Sequence, residues 1–284
     1  MAGTLYVVAT PIGNLEDVTL RALRILRDVS LIAAEDTRRT ARLLQHYSIS
    51  TPTTSLHEHN ERRKSAGLVA RLEAGDSIAL VSDAGTPTIS DPGEGLVAAA
   101  RAAGIRVESV PGPSAVMAAL SASGLPTAEF TFLGFAPARS KDRKQWLAGI
   151  VGESRTVVFF EAPHRIHSTL TELGHLIDDK PIGIGRELTK THEELVVGPI
   201  VELLSRFAVP KGEFTVIIPP GKPLIDQAAA VGDDAIEAEV GRLIENNDLS
   251  PRDAARQVAR SLGLPTNEVY RRFQATREFG RSAK

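Results

Sequence analysis

Apolar residues recur along the first part of the chain in short runs that empty into loops rich in Gly, Pro and Asp. Residues 4–9 (TLYVVA), 31–34, 53–56, 78–81 and 106–110 each have the length and composition of a buried strand. Helical patterns lie between them. Leu20, Leu23 and Leu26 share one face of a helix that Asp17 is placed to cap. A charged helix over 61–74 closes at Gly75, and an apolar helix over 96–103 closes at Gly104, with Asp91 as its expected N-cap and Pro92 at its first position. This alternation predicts a parallel sheet with helices on both faces.

Three of the strands run into turns dense in Gly and Pro: 10–15 (TPIGNL), 81–95 (VSDAGTPTISDPGEG) and 111–115 (PGPSA). In a parallel sheet the carboxyl ends of the strands share an edge, and open α/β sheets bind ligands there. The three loops are therefore expected to open on one pocket. None of them is a phosphate cradle. G-x-G-x-x-G is missing after the first strand, G-K-[ST] occurs nowhere, and Pro11 removes an amide where a pyrophosphate needs several. Glu35 follows Gly13 at the distance of a ribose-binding acid, but without the glycine fingerprint that spacing has no meaning.

The pattern breaks at 125–128 (LPTA), read as a linker, and a second α/β domain follows with strands expected at 130–135, 156–160, 182–186 and 213–219 and a helix over 164–177. The expected divisions are 1–124, 125–222 and 223–284. Ionisable residues leave the strands of the second domain in three clusters, FFEAPHR (159–165), GRELTKTHEE (185–194) and GEFT (212–215). Together they are expected to face the first domain across a cleft. Ion pairing among themselves is the plain alternative for each. His164 and His167 have helical spacing but no carboxylate partner in a recognisable motif, so no metal is expected.

Composition narrows the class. With 42% apolar and 24% charged residues the chain can bury a sizeable core, and without cysteine it has no disulfide framework, thiolate nucleophile or Cys-based metal site. No apolar run approaches the roughly 18 residues of a membrane span. Residues 1–3 lead straight into a strand pattern rather than a basic segment and long apolar run, so a cytoplasmic protein is expected. The net charge of −2 conceals an asymmetry: residues 250–284 hold eight Arg and Lys against three Asp and Glu, a local +5 that leaves −7 elsewhere. A basic tail of this kind suits an acidic partner.

Seven motifs, ATPIGNLEDVTLRAL, AAEDTRRT, SDAGTPTISDPG, VPGPSA, FFEAPHRI, GRELTKTHEE and GEFTVII, occur in an order that resembles the ribosomal RNA small subunit methyltransferase I family, over about residues 3–219. That resemblance implies two α/β domains of the tetrapyrrole methylase type with the ligand cleft between them, plus a small helical C-terminal segment. It further implies S-adenosylmethionine as methyl donor, a cytidine 2′-hydroxyl of small-subunit ribosomal RNA or of the assembled small subunit as acceptor, and a homodimer. The superfamily pattern maps the donor site onto Pro11, Ala84, Gly85, Thr86, Ile89, Ser114 and Ala115, with Glu161 and Leu188 from the second domain. The Gly-Asp-Pro signature of the porphyrinoid enzymes is here Gly85-Thr86-Pro87, which favours RNA over a porphyrinoid. A porphyrinoid methyltransferase and a non-enzymatic RNA-binding protein are the rival classes.

A sulfonium donor carries no phosphate, so a Pro-containing loop with few free amides suits it, and its carboxylate suits the amides opening the helix after Pro113. Positioning supplies much of the rate of an in-line methyl transfer, and a general base assists a ribose hydroxyl. Glu35, Asp36, Glu161, Glu187, Lys190 and Glu193 are candidates. Glu161 and Glu187 are favoured as site carboxylates, with Arg38, Arg186 and Lys190 holding RNA phosphate. Arg139, Lys141, Arg143 and Lys144 beside Trp146 offer a second RNA grip, with a solvated helix start as the alternative. At the C-terminus a tether over 225–234 is expected to lead to two helices, 252–262 and 267–278, with Arg252, Arg256 and Arg260 on one basic face.

Overall fold

The computed structural model describes residues 2–177, 180–221, 233–247, 249–262, 266 and 269–274. They form two compact units: Met1–Leu147 with Thr156–Pro219, and Ala148–Arg155 with Pro220–Lys284. Both sheets belong to the first unit.

The first sheet comprises β1 (Thr4–Val8), β2 (Leu31–Ala34), β3 (Thr53–Ser55), β4 (Ile78–Val81) and β5 (Arg106–Val110) in the order β3-β2-β4-β1-β5, all parallel. Every residue of β2 and β4 is buried, because these strands are covered on both faces. The period of two along β1 divides its side chains. Val8 and half-buried Tyr6 pack under α1 (Leu20–Asp28) and α2 (Thr37–His46), against Leu23, Leu26 and Leu43. Leu5 and Val7 pack on the other face, under α3 (Glu61–Glu73) and α4 (Glu94–Ala102), against Leu68, Leu72 and Leu96.

Two helix starts differ from their expected form. α1 is capped by Thr19, whose hydroxyl accepts from the Ala22 amide, while Asp17 ends a short 3-10 turn; Leu20 is 86% exposed, and the buried stripe is Ala22, Leu23, Ile25 and Leu26. α4 begins after Gly93, not at Asp91-Pro92. Gly93 has φ 119°, and a Cβ there would lie 2.6 Å from Leu80 Cδ2, so only glycine brings the helix this close to β4.

α5 (Ala115–Ser123) leaves β5 and packs against the second sheet, where Val116, Ala119 and Leu120 form one buried cluster with Val158, Leu188 and Ile217. That sheet comprises β6 (Phe130–Phe135), β7 (Thr156–Glu161), β8 (Ile182–Arg186), β9 (Glu194–Gly198) and β10 (Phe214–Ile218) in the order β6-β7-β10-β8-β9. β6 and β7 are parallel and the remaining pairs antiparallel. The edge strand β9 was not expected, since its Glu194 start reads as the end of a polar loop. α6 (Ser140–Ile150), α7 (Pro163–Gly174) and α8 (Ile200–Arg206) complete the helices of this half of the chain.

The proposed grip at 139–146 is partly dismantled by its packing. Arg143 is 4% exposed, pairs with Glu172 at 3.1 Å, and donates to Ser168 and to the Pro137 and Ala138 carbonyls. Trp146 packs edge-on against buried Phe159 with ring centroids 5.1 Å apart. Arg139, Lys141 and Lys144 are exposed.

In the second unit, α9 (Asp233–Asn247), α10 (Pro251–Leu262) and helical residues 269–274 close on Ile236, Val240, Ala255, Val258, Val269 and Phe273. The Ser250 hydroxyl caps α10 at the Asp253 amide, 3.2 Å away. Of the expected basic face, Arg256 pairs with Asp253 at 2.8 Å and the Arg252 guanidinium lies 5.7 Å from the Tyr270 ring. The Arg260 side chain and residues 275–284 lie outside the described residues, as does 222–232 of the expected tether; residues 233–234 belong to α9. Among the described residues no helix is long and apolar enough to cross a membrane.

Arg143→Ala strands Glu172 in a largely buried position and is expected to cost about 3–5 kcal/mol in urea unfolding. Lys141→Ala and Lys144→Ala, on the exposed side of α6, are expected to change it by less than about 0.5 kcal/mol.

Candidate functional site

The carboxyl edge of the first sheet is tied together by its own loops. Thr10 N donates to Gly85 O at 2.9 Å and Gly85 N to Thr10 O at 3.0 Å, a single antiparallel bridge joining the loops after β1 and β4. Thr86 Oγ1 then donates to Pro113 O in the loop after β5 at 3.4 Å. Gly85 has φ 81°, a conformation that side-chain-bearing residues rarely adopt. The three loops thus open on one edge, as their spacing requires.

The second half of the chain meets this edge through a tight turn. Asn14 N donates to Thr189 Oγ1 at 3.0 Å, and a Cβ at Gly13 would lie 2.4 Å from Lys190 Cγ and 3.0 Å from Leu188 O. Glu187 and Thr189 both have positive φ, 48° and 66°, and Glu193 accepts from the Thr189 amide at 2.6 Å, clamping the turn. Between the loops and this turn lies a cleft of 660 Å³, walled by Ile12, Pro113, Ser114, Met117, Phe130 and Thr189 among others. α5 opens on it at Ser114, and no side chain caps that helix, so its first amides lack both a capping side chain and a partner within the helix.

Of the residues expected to hold the donor, Ser114 lines this cleft directly. Gly85 and Thr86 support its wall, Ala115 and Leu188 pack in the apolar cluster beneath it, Pro11 is half-buried, and Ala84 and Ile89 are exposed. Asp17, Thr19, Met117, Thr127, Phe130 and Thr189 also line it and were missed. Met117 alone left a signal in the sequence, one helical turn beyond Ser114 on the same face.

The expected catalytic side chains are already engaged. Glu161 is 1% exposed; one oxygen accepts from Arg165 and the Ala162 amide, each at 2.8 Å, and the other from Thr169 at 2.6 Å. A carboxylate so enclosed, with three donors on it and 1% of the residue exposed, anchors the start of α7. Burial pushes Glu187 upward, but hydrogen bonds from Lys190 and the Glu213 amide outweigh it and hold the carboxyl below its usual range. Burial likewise disfavours the Lys190 charge, yet Glu187 and Glu213, at 2.8 and 3.0 Å, leave its pKa raised. Arg186 pairs with Glu194 at 2.9 Å and donates to the Lys211 carbonyl. These pairs neutralise the cations assigned to phosphate and make Glu187 a weak base. Arg38 is exposed and forks onto Asp36, which that contact holds down to about 2.

Two carboxyls of the first sheet behave differently. Burial raises Glu35, against the Asp83 amide that it accepts at 3.1 Å. Burial also pushes Asp91 up to about 6, opposed by a hydrogen bond from Ser82 and reinforced by the Glu35 and Asp83 charges.

This fold is shared with known proteins. Residues 4–204 match the model of the Tetrapyrrole (Corrin/Porphyrin) Methylases. The chain is 43% identical to the Ribosomal RNA small subunit methyltransferase I of Pseudomonas aeruginosa over 99% of both chains. The chain belongs to that family of methyltransferases. Its member from Synechocystis sp. is 44% identical over 94% of this chain and 96% of its own, and that of Xylella fastidiosa 46% over 94% and 98%. Among solved structures, diphthine synthase superposes with a TM-score of 0.59 at 14% identity, covering 76% of this chain and 90% of its own. Uroporphyrin-III-C-methyltransferase from Thermus thermophilus gives 0.54 at 22% identity, covering 78% and 94%. These two share the tetrapyrrole methylase fold with it. Family membership makes the protein a methyltransferase, an enzyme that uses a methyl donor.

Two outcomes test this geometry. Gly13→Val drives side-chain atoms into the Lys190 and Thr189 side chains and the Leu188 carbonyl and is expected to lower stability by about 1–3 kcal/mol in thermal or urea unfolding. For Asp91, the folded protein holds its proton up to about pH 6 while an ordinary aspartate releases it near 3.8. Its contribution to stability therefore falls as pH rises through that window and stays lost above it. Asp91→Asn is expected to raise Tm at pH 8 and to leave it unchanged at pH 4.

Proposed function

We propose that the protein transfers a methyl group from S-adenosylmethionine to the ribose 2′-hydroxyl of a cytidine in small-subunit ribosomal RNA. The observation that carries this reading is the mutual tie of the Thr10, Gly85 and Pro113 loops around the uncapped start of α5. The residues fit the donor. Free amides at a helix N-terminus suit its carboxylate, and Ile12, Met117 and Phe130 offer apolar surface to its adenosine. S-adenosylmethionine supplies, when bound, an electrophilic methyl group on a positively charged sulfur. Pro11, Ala84, Gly85, Thr86, Ile89, Ser114 and Ala115 form its walls in this reading, with Leu188 packing behind them. Glu161 is reassigned from the reacting centre to holding α7 in place.

The acceptor is inferred from the names of the relatives, each a ribosomal RNA small subunit methyltransferase I. A porphyrinoid acceptor finds support in the description of the family model and in the fold of remote neighbours, and in none of these relatives' names. RNA phosphate falls in this reading to exposed cations, Arg139, Lys141 and Lys144 around α6 and Arg38 on α2, which stays exposed although it forks onto Asp36, rather than to the more enclosed pairs of Arg186 and Lys190. The basic helices of the second unit are a further RNA contact. Work on a homodimer in the cytoplasm completes the proposal.

Small ribosomal subunits from cells lacking this activity, incubated with labelled S-adenosylmethionine, are expected to take up one methyl group on a ribose. Labelling of a porphyrinoid and not of subunits overturns the acceptor. Ser114→Trp fills the cleft at α5, and Gly85→Val forces a branched side chain to φ 81°. Each is expected to abolish calorimetric binding of S-adenosylmethionine while the far-ultraviolet circular dichroism stays that of the folded protein.

A further inference from the structure

Strand β6 starts in the cleft at α5 and ends outside it. Phe130 lines that cleft, and Phe130 and Phe132 are half-buried against the apolar cluster of α5. Phe135, at the other end of the strand, is 56% exposed. In a regular strand residues three apart point to opposite faces, so Phe135 would turn away from Phe132. It does not. Phe132 pairs with Val158 of β7 and Phe135 with Phe160, three steps along β6 matching two along β7, and Gly134 takes φ 68° within this shift. Both rings consequently lie against Phe160, with centroids 4.9 Å away for Phe132 and 5.3 Å for Phe135. A row of aromatic rings thus runs from the cleft wall out to solvent.

The surroundings fix the outer ring and charge the space beside it. Ala136 N donates to Phe160 O at 3.1 Å and its carbonyl accepts from Arg165 at 3.2 Å, so the backbone just beyond Phe135 is held on both sides. Just before it, a Cβ at Gly134 would lie 3.3 Å from Ser90 Oγ in the loop after β4, and Ile89 in that loop is 50% exposed. This is the loop whose Gly85 and Thr86 tie the rim of the cleft. Past Ala136 the chain enters α6, where Arg139, Lys141 and Lys144 are exposed while Arg143 turns inward onto Glu172. Asp142 is the only acid between residues 136 and 146.

A lone phenylalanine on a surface calls for no explanation. This one is aimed by a register shift, backed by a second ring and followed by exposed cations. That is the combination with which proteins hold unpaired nucleotides, the base stacked on the ring and the phosphates on the cations. We propose that Phe135 stacks on an unpaired base of the substrate RNA that flanks the acceptor nucleotide, with Arg139 and Lys141 on the phosphates beside that base. The proposal rests on the methyl-transfer reading above. The base is a flanking one because a strand rises about 3.3 Å per residue, which sets Phe135 on the order of 15 Å from Phe130 in the cleft, too far for the nucleoside whose hydroxyl meets the donor. Stacking asks for a flat apolar face and no particular hydrogen-bonding edge, so Phe135 supplies affinity and register rather than choice of base. Phe160 behind it holds the ring before RNA arrives, and little side-chain freedom is left to lose on binding. A second copy of the chain docking this patch onto itself would bring two sets of cations together, which disfavours a contact between copies at this face.

The test uses the full chain, S-adenosylmethionine and small subunits lacking the modification. Phe135→Ala is expected to weaken affinity for the subunits by roughly 5- to 100-fold and to lower kcat/KM in proportion. Phe135→Trp is expected to keep both within about threefold of the wild type, because an indole offers a flat face of its own. Calorimetric affinity for S-adenosylmethionine is expected to stay that of the wild type in both variants. Salt separates the ring from its neighbours: the slope of log affinity against log salt is expected to be unchanged in Phe135→Ala and to flatten by roughly 1.4 when Arg139 and Lys141 are both replaced by Ala. Wild-type affinity in Phe135→Ala, or a loss that Phe135→Trp shares, overturns the stack. A Phe135→Ala protein that sediments as a smaller species than the wild type also overturns it and assigns the ring to contact between copies. Should Phe135→Ala fail to fold, Phe135→Leu, which keeps apolar bulk without the flat face, decides in its place: wild-type affinity there overturns the stack, and a loss like that expected of Ala supports it. If the wild-type protein neither binds nor methylates the subunits, the functional reading fails and the stack with it, an outcome distinct from an active wild type whose variants bind equally well.

Discussion

Two hydrogen bonds between Thr10 and Gly85 hold the working edge of this protein in shape. Parallel strands end with their carbonyls and amides at one edge, and loops leaving that edge ordinarily wander into solvent. Here the loops after β1 and β4 close on each other through a bridge, and Thr86 extends the tie to Pro113. The constraint falls on backbone rather than side chains, which explains the residue types. Gly85 supplies the positive φ that turns its amide and carbonyl toward Thr10, and the buried Thr10 hydroxyl adds a bond to Ser82 O at 3.2 Å. Three flexible connections become one rigid rim.

That rim is coupled to the second sheet by α5. The helix starts at the rim and buries Val116, Ala119 and Leu120 against Val158, Leu188 and Ile217, so its first turn cannot shift without disturbing that apolar core. Opposite it, Leu188 sits between Glu187 and Thr189, both in a backbone region costly for residues with a Cβ. The ion pairs around them have a clear physical task. Lys190 joins Glu187 to Glu213, and Arg186 and Arg206 converge on Glu194, pinning the turn that faces Gly13. Partly exposed pairs of this sort contribute modest stability individually, but as a network they fix one geometry.

The parts of the structure legible in the sequence were those set by local pattern. Strands β2, β4, β5, β6 and β8 were read to the residue; in β2 (LIAA) and β4 (IALV) four successive apolar positions between polar neighbours leave few other solutions. The shared edge of the three loops followed from strand direction alone. Partnership across the chain was not legible. Nothing local in GRELTKTHEELVV says that Glu194 begins an edge strand and binds Arg186 and Arg206, so a structural network read as a row of site charges. Arg143 misled in the same way, since a Lys- and Arg-rich helix start hides the one guanidinium that finds Glu172. Asp91 was misplaced for a different reason. Asp-Pro-Gly satisfies both an N-cap with Pro at the first position and a turn, and the packing of Gly93 against Leu80, which decides between them, involves a residue thirteen positions earlier.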